Sequence, residues 1–271
     1  MKPFRSFTFT TVTLFIALVA VSVGAETINC TPITSLPATI DTQGLYCLAG
    51  NLATSQTSGY AITINANNVT LDLNGWKIGG QAAGTGTNAW GIYSTAVNVT
   101  IRNGIVRGFH DGIVLMGRGA VVQDMLVDQN TETGIYVEGQ GVRVEHNQVV
   151  DTGGSTSATD INAYGIVANG DGSTMINNMV SGLTATGSAS ERGIYAGGAN
   201  STVRDNVVSD TAPPTGGGAS IGIWQYQGIA VNNTVSDFDV GINDNGIYAH
   251  NTVYNCTTNY INGTAGAGNS P

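Results

Sequence analysis

The stretch GIYVEGQGVRVEHNQV, Gly134 to Val149, decides how the chain is built. It opens on Gly-Ile-aromatic and closes on an Asn followed two residues later by an apolar residue. The phrase returns as GIYAGGANSTVRDNVV at 193–208, with shorter echoes GIAVNNTV at 228–235 and GIYAHNTV at 246–253. A unit that recurs in this way is one rung of a stacked array and not a domain of its own.

Working outward, Gly91, Gly112, Gly134, Gly165, Gly193, Gly222 and Gly241 are each followed by Ile, at spacings of 21, 22, 31, 28, 29 and 19 residues. A second anchor keeps step: Asp124, Asn147, Asn178, Asn206, Asn233 and Asn251 each have an apolar residue two places on. Two earlier rungs carry Asn-Gly at 74–75 and 103–104 instead. From Gly112 through Gly193 the two anchors stay 12 or 13 residues apart, so the variable length lies between the Asn and the next Gly-Ile. Short runs alternate apolar and polar residues at period two, which marks strands, and no helical period competes. These features predict an all-β fold, a right-handed parallel β-helix (solenoid) of about eight coils. Each Ile points inward onto the Ile of the next coil. Each Asn shares amide hydrogen bonds with the next, about 4.8 Å away, and tolerates a left-handed turn. A β-sandwich would not need one residue type at one rung position seven times over.

The ends read differently. Residues 1–25 have a signal-peptide pattern: Lys2 and Arg5, an apolar run from Val12 to Val23, and small residues at Val23-Gly24-Ala25. The apolar run is shorter than the roughly 20 residues of a membrane span. Residues 26–57, with Pro32, Pro37, Gly44 and two Cys, form an N-terminal cap over the first rung. The solenoid occupies 58–261, and the Gly/Ala-rich 262–271 is a flexible tail. Without Lys2 and Arg5 the charge is 7 − 18 = −11. That argues against nucleic acid and anionic membrane surfaces as partners, and mildly against polyanions unless a local basic cluster or Ca²⁺ assists. In a secreted or periplasmic chain Cys30 and Cys47 are expected to pair, leaving Cys256 over; three buried thiols are the other reading. No spacing suggests zinc, and no metal ligands are assigned.

NVTLDLNGWKI at 68–78 and the recurrent GIY…V-R-D-N-x-V phrase resemble the right-handed parallel β-helix repeats of the pectate-lyase-like superfamily. The N-terminal ITSLPATIDTQGLYCLAGNL resembles the start of its secreted bacterial members. The resemblance covers about residues 28–260 and implies the fold. It implies no single activity, because such proteins include lyases, hydrolases, epimerases and binding modules. The paired-Asp and Gly-His-Gly pattern of the hydrolases is absent, FHDG at 109–112 lacks the Pro of the epimerase motif, and Lys is scarce.

If Ile points in, the next residue points out. Those residues are Tyr93, Val114, Tyr136, Val167, Tyr195, Trp224 and Asn243, four of seven aromatic. Tyr93, Tyr136, Tyr195 and Trp224 are the candidate sugar-stacking residues, since an aromatic face suits the apolar face of a pyranose. A bland sheet surface rich in aromatics is the other reading. The insertions 151–164, 182–192 and 211–221 precede the Gly-Ile strands of successive coils and would wall one face. Glu138, Asp151 and Arg192 are the candidate catalytic residues: Glu138 lies two places beyond Tyr136, Asp151 opens an insertion, and Arg192 precedes Gly193. Asp128, Asp151, Asp210 and Asp237 each lie four residues after an anchor. They read as Ca²⁺ ligands, as a carboxylate pair, or as ordinary turn residues. Ca²⁺ is accordingly the one cofactor considered. His110-Asp111 is the densest ionisable cluster, with no third partner visible in sequence.

The expected function is binding of a polysaccharide or cell-envelope glycan along the aromatic strand face, with cleavage by a lyase or hydrolase mechanism left open. A non-catalytic structural or adhesive envelope protein is the alternative. A metal-handling periplasmic protein is disfavoured by only three His.

Overall fold

A computed structural model describes residues 29–210 and 218–270; the signal-peptide pattern lies outside them. Apart from one 3-10 turn at Gln81–Ala83, the described chain is strand and turn, and every strand pairing is parallel. One sheet has ten strands: Ala38–Ile40, Tyr60–Ile64, Trp90–Ser94, Asp111–Leu115, Thr133–Glu138, Ala163–Asn169, Glu191–Ala196, Ser220–Gln225, Val240–Asp244 and Thr258–Ile261. The remaining strands join in an eighteen-stranded sheet that bends around the other faces of the coil. The count of ten exceeds the expected eight because Ala38–Ile40, inside the cap, and Thr258–Ile261, near the tail, each add a rung.

Inside the coil, Ile62, Ile92, Ile113, Ile135, Ile166, Ile194, Ile223 and Ile242 stand in register with no exposed surface. The two sequence anchors turn out to touch. A Cβ added at Gly134, Gly165, Gly193, Gly222 or Gly241 would collide with Cγ1 of Val149, Val180, Val208, Val235 or Val253, the apolar residue after the Asn of the same coil. It would also press on the carbonyl oxygen of the next coil. Glycine is required there by close approach across the coil, not by a left-handed backbone.

The amide ladder runs Asn147–Asn178–Asn206–Asn233–Asn251, all buried. Asn178 Oδ1 accepts both the backbone N–H and Nδ2 of Asn147 at 3.0 Å, and the pattern repeats at each step. Each Nδ2 also donates to a carbonyl of the preceding coil, such as Val144 or Met175, at 2.9–3.0 Å. Every polar atom of these buried amides is thereby paired. Asp124 is not a rung of the ladder. Leu126 pairs with Gln148, which aligns Met125 with Asn147, and Met125 N donates to Asn147 Oδ1. Asp124 instead aligns with His146, and both take the left-handed turn, as do Asn177, Asp205, Asn232 and His250. The turn conformation therefore belongs to the residue before each ladder Asn.

Cys30 and Cys47 form the expected disulfide, and Cys256 is free. The expected loose tail continues the coil: Thr264–Ala265 is a strand, and Asn269 Oδ1 accepts Asn251 N at 3.1 Å. In the echoes at 228 and 246, Ile229 and Ile247 lie on the eighteen-stranded sheet and are about half exposed, so these Gly-Ile pairs are not the inward kind. No helix among the described residues is long and apolar enough to cross a membrane.

Candidate functional site

The outward column follows the expected register: Tyr93, Val114, Tyr136, Val167, Tyr195, Trp224 and Asn243 are successive partners across the ten-stranded sheet. A second outward column runs beside it. Asp111, Thr133, Tyr164, Arg192 and Ile221 pair in turn, each just ahead of a Gly-Ile. Simple alternation from the Ile would turn this column inward. The glycine breaks the alternation, because its missing Cβ points at the interior Val, as the Ile points inward beside it. Two consecutive positions face in, and the residue ahead of the Gly faces out.

Between the columns lies a groove of about 470 Å³ whose lining includes Trp90, Asp111, Glu132, Tyr136, Tyr164, Asn169, Arg192 and Tyr195. From the Trp90 strand to the Tyr195 strand it crosses five successive strands, four steps of about 4.8 Å, or about 19 Å. Tyr136 sits in the floor. Its hydroxyl donates to Glu138 Oε2 at 2.9 Å and accepts from Asn169 Nδ2 at 3.2 Å. Burial is the main cause of a raised Tyr136 pKa. Glu138 is thus held at the groove edge through Tyr136.

At one end Arg192 is caged by rings. Its guanidinium carbon lies 4.3 Å from the Trp224 centroid, 5.3 Å from that of Tyr195 and 5.6 Å from that of Tyr164. It makes no ion pair among the described residues. Trp224, tilted 54° against Tyr195 at 4.6 Å, gives a face to this cation and does not line the groove. Tyr93 also has a partner: it stacks on Tyr60 at 4.3 Å and 13°, with Trp90 tilted beside both. Trp90 is the ring of that trio that reaches the groove.

Toward the other end His110 lies between two carboxylates, Glu132 Oε2 at 3.0 Å from Nε2 and Asp111 Oδ2 at 3.6 Å from Nδ1. Asp111 and Glu132 push its pKa up to about 9, so it is an imidazolium at neutral pH and not a general base. Glu132 is the third partner that sequence did not reveal. It sits in the turn before Thr133, one coil beyond His110, and only the register brings them together.

Asp151 is not brought to this groove. It takes a left-handed turn, φ 51°, and lines a separate hollow with Gln81, Thr85 and Gln129. Two others of its row are held by structural partners, and Asp237 takes a left-handed turn like Asp151. Asp128 pairs with Arg107 at 2.9 Å, and Asp210 accepts the Leu183 N–H at 3.3 Å. Parts of two insertions stack coil on coil: Asp160 Oδ1 accepts Ser188 N at 2.7 Å, and Asn162 Oδ1 accepts Ser190 N at 3.0 Å. Residues 211–217 of the third insertion lie outside the described residues.

No family model matches the chain, and no curated protein matches it in sequence. Among solved structures, Dettilon tailspike protein (gp208) superposes with TM-score 0.54 at 15% identity, over 89% of this chain and 55% of that one. The chain is a right-handed parallel β-helix. The β-helix also superposes on the A-module of mannuronan C-5 epimerase AlgE4 of Azotobacter vinelandii, with TM-score 0.48 and 15% identity over 83% of this chain and 80% of that one. At such identity the likeness is one of fold.

Proposed function

We propose that this is an exported β-helix protein that binds a polysaccharide along the groove of its ten-stranded sheet. The observation that carries the reading is the alignment of Trp90, Tyr136, Tyr164 and Tyr195 along one depression that crosses five strands. Rings set along the solenoid axis suit an extended chain of sugar units, whose apolar faces lie on aromatics while hydroxyls find polar side chains. Asn169, Arg192, Asp111 and Glu132 supply those polar groups. Arg192 has no carboxylate partner among the described residues, which leaves its terminal guanidinium N–H groups for a ligand. The disulfide supports export, since such bonds persist in oxidising compartments.

Of the expected residues, Tyr136, Tyr195 and Arg192 contact the sugar in this reading. Glu138 sets the Tyr136 hydroxyl, Trp224 sets Arg192, and Tyr93 backs Trp90. A glycan array followed by a reducing-end assay on the protein lacking residues 1–25, with and without Ca²⁺, tests the proposal and separates binding from cleavage. Retention of a glycan class by the parent and its loss in Tyr195→Ala support it. No glycan retained under either condition would sink it.

A further inference from the structure

We propose that His110, Asp111 and Glu132 form a site for a divalent transition metal of the zinc class at one end of the groove. This goes beyond the glycan reading and does not depend on it. One donor atom from each residue can be chosen so that all three lie within 4.8 Å of one another. Zinc bonds of about 2.0–2.2 Å set tetrahedral ligands about 3.4 Å apart, so side-chain rotation of about an ångström closes the set.

The backbone already holds the three together. His110 N donates to Ala89 O at 2.8 Å, and Glu132 N donates to His110 O at 2.9 Å. Two buried polar atoms of the cluster lack a hydrogen-bond partner among the described residues: Nδ1 of His110, whose nearest Asp111 oxygen at 3.6 Å is too far, and Oδ1 of Asp111. An ion bound between the three side chains would give such atoms a partner. Charge agrees: a neutral imidazole and two carboxylates together carry −2, which a divalent ion balances.

One imidazole nitrogen with two carboxylates suits a borderline cation. Calcium, which takes six to eight oxygens, finds too few here. Asp111 and Glu132 both line the groove, so the remaining coordination positions face whatever enters it.

The test is calorimetric titration of untagged, chelator-stripped protein with Zn²⁺, and separately with Ca²⁺. The parent should bind one Zn²⁺ per chain and show no comparable Ca²⁺ binding. Glu132→Gln and His110→Ala should each weaken Zn²⁺ at least tenfold. His146→Ala, at an exposed turn beside Asn177, should leave it unchanged. Circular dichroism checks that each variant is folded, and Glu132→Gln keeps an oxygen acceptor for His110. Absence of Zn²⁺ binding in the parent overturns the assignment, as does binding that survives both substitutions or is lost in His146→Ala.

Discussion

The Arg192 guanidinium lies over the indole of Trp224, 4.3 Å from its centroid, one coil apart on the same sheet face. Trp224 thereby acts through Arg192. A partly desolvated cation–π contact is worth about 0.5–2 kcal/mol. The single variants Arg192→Ala and Trp224→Ala should each destabilise the fold modestly. Their double-mutant cycle in urea denaturation should return a coupling of about 1 kcal/mol. A coupling of zero would mean the contact contributes nothing.

Asn206 sits mid-ladder, accepting from Asn178 and donating to Asn233 Oδ1 and Met175 O. Replacing it with Ala strands several buried groups at once, each costing about 1–3 kcal/mol. Asn206→Ala should therefore lose about 3 kcal/mol or more, measured by denaturant midpoint. Loss below 1 kcal/mol would mean the coils hold without the amides.

Gly193 and Val208 meet across the coil interior. Gly193→Ala should cost about 1–3 kcal/mol through overpacking. Adding Val208→Ala should recover part of that loss and no more, because the Gly222 carbonyl still opposes the new methyl. Full recovery, or none, would contradict the contact.

Asp244 is fully buried, and burial raises its pKa to about 6. Its register partner Gln225 has an unpaired buried Oε1, as Asp244 has an unpaired Oδ2. Because the folded pKa exceeds the unfolded one, the native state holds the proton longer. Stability is fully present below about pH 4 and falls as pH rises to about 6, by an amount on the order of 2–3 kcal/mol. Asp244→Asn should remove that fall and raise the Tm at pH 8, since the amide accepts from Gly246 N as before and has a donor for Gln225. An unchanged pH profile would refute the assignment.

Much of this was legible in sequence because a solenoid repeats its contacts. The Gly-Ile and Asn-x-Val anchors recur at fixed separation because Gly193 and Val208, and their equivalents, touch in every coil. Asp124 misled because the left-handed turn residue and the ladder residue are adjacent, and Asp suits the first. Half of the groove was legible. Tyr136 and Tyr195 follow from alternation, whereas Tyr164 and Trp90 lie beyond a glycine that interrupts it. Glu132 was out of reach because its meeting with His110 is set by register between coils.

The most direct measurement is the affinity of the protein for an oligosaccharide of the retained class, compared between Tyr195→Ala, in the groove, and Tyr226→Ala. Tyr226 is half exposed and absent from the groove lining. The account predicts at least tenfold weaker binding for Tyr195→Ala and parental affinity for Tyr226→Ala. Equal effects of the two substitutions, or parental affinity in both, would contradict it.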